Sequence, residues 1–227
     1  MPSYKDVILN TPGLVHYFRM SGGATDADLG PGGATLTHNG SPAAASGLIK
    51  DPNGAKRYAG TTQDSTFSTA AFAGLGTISY SFWMMEDALV DWSHLVENDD
   101  WPTCRFQVLR NAASGNLTTG WRDGVGAADY GPAGPYRQLA RNHVGVSADG
   151  TNIRLVINGV QVGISGMAGV FGSGTRTFRI NKAGTQAHAG VLDEVAFFNV
   201  GLSVATFQQQ YKAGLASGIL AGLLLPV

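Results

Sequence analysis

Apolar and polar residues alternate with a period of two in recurring stretches of this chain, the spacing of strands with one face buried. In TISYSFWM, Ile78, Tyr80, Phe82 and Met84 fall on one side, and Ser79, Ser81 and Trp83 on the other. In CRFQVLR, Cys104, Phe106 and Val108 alternate with Arg105, Gln107 and Leu109. Ile153, Leu155 and Ile157 share a face before Asn158-Gly159, a pair suited to the two left-handed positions of a type I′ turn. Val160 and Val162 begin the return strand. Short strands separated by glycine-rich turns, without alternating helices, predict an all-β sandwich of two antiparallel sheets. Helix signals gather only near the end. Ser203 is an N-cap, Leu202 and Phe207 form a hydrophobic staple, Phe207 and Tyr211 share a face, and Gly214 is expected to end the helix.

Composition narrows the function more than the fold. At 227 residues the chain suits one large all-β domain, read as residues 1–214 with an apolar tail over 215–227. Residues 21–47, rich in Gly, Ala, Ser and Asp, read as a long surface loop with a short strand around Leu36. A net charge of −1 lacks the basic footprint of a nucleic-acid binder, and no lysine-rich run suggests a membrane surface. The segment 219–227 is too short to span a bilayer. One cysteine, Cys104, and a start without a signal-peptide pattern fit assembly in a reducing cytoplasm.

Five segments in order resemble the laminin G-like family of the concanavalin A-like lectin/glucanase superfamily. YKDVILNTPGLVHYFRM, with Tyr4, Val7, Pro12, Leu14, Tyr17 and Arg19, is similar to the family's first strand. Ala55 with Tyr58 and Gly60, then TISYSFWM, HVGVSADG and LDEVAFFNVGLSVATFQQQY, resemble its later strands and terminal helix. The resemblance implies a concanavalin-like jelly roll with a short C-terminal helix. The opening segment is also similar to laminin G-like proteins of tailed bacteriophages. That likeness implies a structural or decoration protein of the virion, made in the host cytoplasm. Its partners would be other virion proteins, further copies of itself and host-surface glycans. A carbohydrate-binding module is the alternative, and a glycoside hydrolase the third reading.

Hydrolases of this fold use paired acids on one strand, usually Glu-x-Asp-x-x-Glu, and no such triple occurs here. Glu86-Asp87 and Asp193-Glu194 are adjacent, and Glu97, Asp99 and Asp100 read as loop, so no catalytic residue is assigned. No cofactor is required. Alternation places Asp193 among Val191, Val195 and Phe197, and two readings of this buried acid are open. One is a structural calcium site shared with Asp26 or Asp28. The other is a lock in which Asp193 accepts from backbone amides or Arg19. Trp92, Trp101, Trp121, Tyr130 and Tyr136 suit sugar stacking, or else packing of a concave face or subunit contact. The five histidines show no metal-ligand spacing, and no nucleophile elbow is present. Leu220, Leu223, Leu224 and Leu225 are too apolar to leave in water, and an intersubunit contact is expected of them.

Overall fold

The computed structural model describes residues 2–49, 53–59, 61–100, 104–111, 114–122 and 129–216, with backbone alone at 99, 100, 104, 105, 122, 129 and 130. In chain order these form α1 (Tyr4–Leu9), β1 (Leu14–Phe18), β2 (Thr25–Ala27), β3 (Thr35–Asn39), β4 (Ala43–Ser46), β5 (Gly54–Tyr58) and β6 (Asp64–Thr69). There follow β7 (Thr77–Glu86), β8 (His94–Asp100), β9 (Cys104–Asn111), β10 (Asn116–Arg122), β11 (Asp129–Tyr130) and β12 (Ala133–Gly134). The last are β13 (Asn142–Asp149), β14 (Asn152–Ile157), β15 (Val160–Gly166), β16 (Arg176–Ile180), β17 (Gly190–Phe198) and α2 (Val204–Ala216). The first sheet runs β15-β14-β13-β7-β17-β5-β4, with β1 also paired to β17; the second runs β11-β10-β9-β8-β16-β6-β3-β2, with β12 beside β10. All of these ladders are antiparallel. This is the predicted two-sheet sandwich.

The alternation resolves into layers. Ile78, Tyr80, Phe82 and Met84 of β7, Phe106 and Val108 of β9, and Ile153, Leu155 and Ile157 of β14 all enter the core between the sheets. There Phe67, Phe178 and Phe197 pack with centroids 5.1 to 5.3 Å apart. The opposite face of the first sheet carries a second cluster, in which Trp83, Val156, Ala196 and Phe198 meet Tyr4 and Ile8 of α1 and Phe207 and Ala213 of α2. The first sheet is therefore covered on both sides. Asn158 and Gly159, at φ 52° and 77°, make the predicted hairpin turn.

Four expectations are corrected. Residues 4–9 are a helix, not strand. Ser3 accepts from the amide of Asp6 while the Asp6 side chain accepts from Ser3, a capping box that starts the helix. Gly214 does not end α2. It lies inside the helix, where its bare backbone sits against Trp83. In 21–47 the strand expected around Leu36 is present as β3, but the rest is not all loop, since it also holds β2 and β4. The acids at 97–100 lie in strand β8. The Ser203 cap holds, its hydroxyl accepting from the Thr206 amide at 3.1 Å.

Candidate functional site

Two β-bulges place the acidic residues. In β17 the register against β7 shifts between Asp193 and Ala196, and Glu194 takes a left-handed φ of 54°. Leu192, Val195 and Phe197 then point into the core, whereas Val191, Ala196 and Phe198 point toward the helices. Asp193 therefore does not share a face with Val195 and Phe197. Both acids turn to the helix side. Asp193 accepts from the Leu48 amide at 2.7 Å. Arg19 goes to Glu194 instead, donating from Nε and Nη2 at 3.1 and 2.8 Å, and the Tyr17 hydroxyl donates to the same carboxylate. Burial, reinforced by the Glu194 charge, pushes the Asp193 carboxyl well above the usual range. The pair locks β1 and the segment before β5 onto β17.

Asp26 and Asp28 are used elsewhere. Asp28 accepts from His16 at 2.6 Å and from the amides of Tyr17, Gly30 and Ala34. Burial opposes its charge, but those hydrogen bonds outweigh it and hold the carboxyl below its ordinary value. Asp26 faces His38 at 2.9 Å, and His38 faces Ser65 at 2.6 Å. The Ser65-His38-Asp26 chain has the residue types of a catalytic triad, but Ser65 is fully buried and bonded to Tyr58 as well. It fastens β2 and β3 to β6. Among the described residues no three His, Cys, Asp or Glu side chains converge as metal ligands. Asp193, Asp26 and Asp28, each held by its own partners, do not fit a calcium cage.

The second bulge lies in β8, where the register against β9 shifts between His94 and Val96. Leu95 and Val96 both enter the core, and His94 and Glu97 pair across the bulge at 2.7 Å. Glu97 is fully buried, yet three cationic or protonatable groups surround it: His94, Lys182 Nζ at 3.5 Å and Arg179 Nη1 at 3.6 Å. The segment after β16 folds back over β8: the Asn181 and Lys182 amides donate to Leu95 and His94, and the His94 amide donates to Gln186. This brings Lys182 and Gln186 beside the strand.

The outer face of the second sheet here is a groove of about 430 Å³, bordered by Trp92, His94, Gln107, Thr118, Lys182 and Gln186. Gly120 and Gly131 keep its floor open; a side chain on Gly131 would strike the Thr119 carbonyl. Trp92 stands at the rim, 44% exposed, on a turn where it adopts a left-handed φ of 58°. Arg110 on β9 donates to Asp91 at 2.7 Å and so anchors that turn. Gln107 Oε1 and Thr118 Oγ1, both buried, have no hydrogen-bond partner among the described residues.

Of the aromatics proposed for sugar stacking whose side chains are described, Trp92, Trp121 and Tyr136, Trp92 alone reaches this groove. Trp121 is a correction. It is fully buried against Phe106 and Phe171, its indole N–H donates to Ala168, and no ligand can stack on it. Tyr136 is half-buried elsewhere and donates to the Glu86 carboxylate at 2.8 Å. Burial and the Glu86 carboxylate push its hydroxyl up. Trp101, the Tyr130 side chain and Leu220, Leu223, Leu224 and Leu225 lie outside the described residues. His94, Glu97, Gln107, Lys182 and Gln186 went unassigned in the sequence. HLVEN hid its register behind a bulge, and the other residues come from strands and a loop far apart in the chain.

The laminin G pattern of the "Concanavalin A-like lectin/glucanases superfamily" matches residues 59–206, more than half of the chain. The chain belongs to that superfamily. No curated protein matches its sequence. Among solved structures, the superfamily member is similar to domain 4 of AbnA, a GH43 extracellular arabinanase from Geobacillus stearothermophilus solved with arabinotriose. Identity is 15%, coverage 87% of this chain and 98% of that one, and TM-score 0.68. It is also similar to the binding domain of Paraclostridial Mosquitocidal Protein 1, at 13% identity, 92% and 52% coverage and TM-score 0.70. The receptor binding domain of botulinum neurotoxin D gives 11% identity, 88% and 52% coverage and TM-score 0.71. The chain spans about half of each toxin fragment. At these identities the likeness is one of fold.

Proposed function

We propose that the domain is a non-enzymatic binding module whose polar groove takes a carbohydrate chain. The observation that carries this reading is the pair of buried acceptors in the groove, Gln107 Oε1 and Thr118 Oγ1, without partners among the described residues and beside an exposed tryptophan. Buried polar atoms left without partners cost about 1–3 kcal/mol each, and ligand hydroxyls remove that cost. The Trp92 ring offers an apolar face to a sugar ring, while the groove's volume suits a small ligand. The AbnA domain, of the same fold, was solved with arabinotriose, which supports the ligand class.

A non-enzymatic role is favoured because no carboxylate stands among the described residues bordering the groove, and Glu97, paired with cations, is fully buried. Glycoside hydrolysis needs two carboxyl groups, about 5–5.5 Å apart for retention or 6.5–9.5 Å for inversion. We assign the module to the surface of a tailed-phage particle, on the likeness of residues 4–20 to phage laminin G-like proteins. Mass spectrometry of purified particles from a phage encoding the chain tests that placement, and its absence from them would refute it. A glycan array followed by calorimetry tests the groove. Trp92→Ala and Gln107→Ala should each weaken the best array ligand about tenfold, and unchanged affinity in both would refute the site.

A further inference from the structure

The groove on the second sheet differs from one end to the other. His94, Leu109 and Thr118 are register partners on β8, β9 and β10, so they form one row across it, about 10 Å long at ordinary strand spacing. At one end Thr118 Oγ1, with Gln107 Oε1 in the neighbouring row, offers acceptors that have no donor among the described residues. Gly120, the register partner of Gln107, leaves room for that amide: a Cβ there would come within 3.1 Å of Gln107 Nε2. Leu109 in the middle of the row and Trp92 at the rim are apolar. The far end is cationic. There the segment after β16 bonds along the edge of β8 opposite β9, the Lys182 amide donating to the His94 carbonyl and the His94 amide to the Gln186 carbonyl. This puts Lys182 on the groove's border, beyond His94.

Glu97 gives that end its sign. The carboxylate is fully buried behind the groove, whereas Lys182, 3.5 Å away, is 27% exposed, so the pair presents its positive end to a ligand. Arg179, 3.6 Å from Glu97, is shared with Asp64 at 4.0 Å and does not border the groove. Among the described residues on the border, Lys182 alone carries a full charge. Hydrogen bonds between an ammonium and an anion are about twice as strong as neutral ones, and Glu97 already orients this ammonium.

We propose, on the reading of this groove as a carbohydrate site, that its ligand is an anionic glycan whose sugars carry a carboxylate or a sulfate ester. The anionic group meets Lys182, the ring lies over Leu109 beside Trp92, and ring hydroxyls donate to Thr118 and Gln107. A neutral sugar fills the acceptor end and leaves the cationic end unused.

The test is an array of oligouronates and sulfated oligosaccharides, each printed beside its carboxyl-reduced or desulfated neutral counterpart, followed by calorimetry of the best pair. In the wild type the anionic member should bind about tenfold more tightly than the neutral one or better. The preference should shrink when NaCl is raised from about 0.05 to about 0.5 M, which screens an exposed cation. Binding by the uronate series alone, or by the sulfated series alone, names the group that Lys182 meets. Lys182→Gln should reduce the preference to less than about threefold; the wild-type comparison needs no variant, so it stands even where this one folds poorly. Equal or tighter binding of the neutral members, or a preference that survives Lys182→Gln, would overturn the anionic ligand and leave the carbohydrate site in place. Failure of every member, anionic and neutral, would overturn both.

Discussion

The two sheets face the same problem, an outer face that must meet either water or another layer, and they solve it in opposite ways. The first sheet turns Trp83, His143, Asp193 and Glu194 outward and then buries them beneath α1 and α2. The second turns His94, Gln107, Thr118 and Trp92 outward and leaves them around an open groove. Both outer faces carry an acid displaced by a β-bulge. Under the helices Glu194 is bonded to Arg19 and Tyr17 and serves stability. Under the groove Glu97 organises His94, Arg179 and Lys182 at a surface that a ligand can reach. What lies above a bulge, rather than the bulge itself, separates architecture from recognition.

The largest expected effect lies on the covered side. Glu194→Ala leaves the Arg19 guanidinium and Tyr17 hydroxyl without their carboxylate and should cost about 3–5 kcal/mol in chemical denaturation. Ligand affinity of the molecules that remain folded should be unchanged. The two tryptophans sharpen the same contrast. Trp121→Ala empties part of the core and should also cost about 3–5 kcal/mol. Trp92→Ala should change stability by less than about 0.5 kcal/mol.

The covered face should also answer to pH. Burial lowers the His143 imidazole to about 3, so in the folded protein it stays neutral while the unfolded chain takes up a proton near pH 6.5. Its contribution is complete above pH 6.5 and is lost as pH falls toward 3, by roughly 1.4 kcal/mol per pH unit. His143→Gln should flatten that part of the stability profile. Asp193 has the opposite sign. Its raised pKa means that folding favours the neutral acid, with stability lost as pH rises through the folded value. Asp193→Asn keeps an acceptor for the Leu48 amide and should leave stability at pH 7 equal to wild type or up to about 1 kcal/mol higher. A fall of more than 2 kcal/mol would contradict the raised pKa of Asp193.

The sequence made the sandwich legible because strict alternation in β7, β9 and β14 and the Asn158-Gly159 turn report burial directly. It hid the sites because alternation breaks there. A period of two puts Asp193 on the core face until the bulge at Glu194 interrupts it, and Glu97 reads as loop because HLVENDD starts with a bulge and ends in acids. Trp121 and Trp92 look alike in sequence; only the assembled sheets separate a core ring from a rim ring. Tyr4–Leu9 gives no periodic signal because a helix of six residues is too short to show one.

The central claim is that the uncovered face of the second sheet is the binding face. Calorimetric titration of the wild type, Trp92→Ala and Glu194→Ala with the best ligand from a glycan array tests it most directly. The account predicts about tenfold weaker binding for Trp92→Ala and wild-type affinity for folded Glu194→Ala. Full affinity in Trp92→Ala, together with loss in folded Glu194→Ala, would place recognition on the helix-covered side and contradict it.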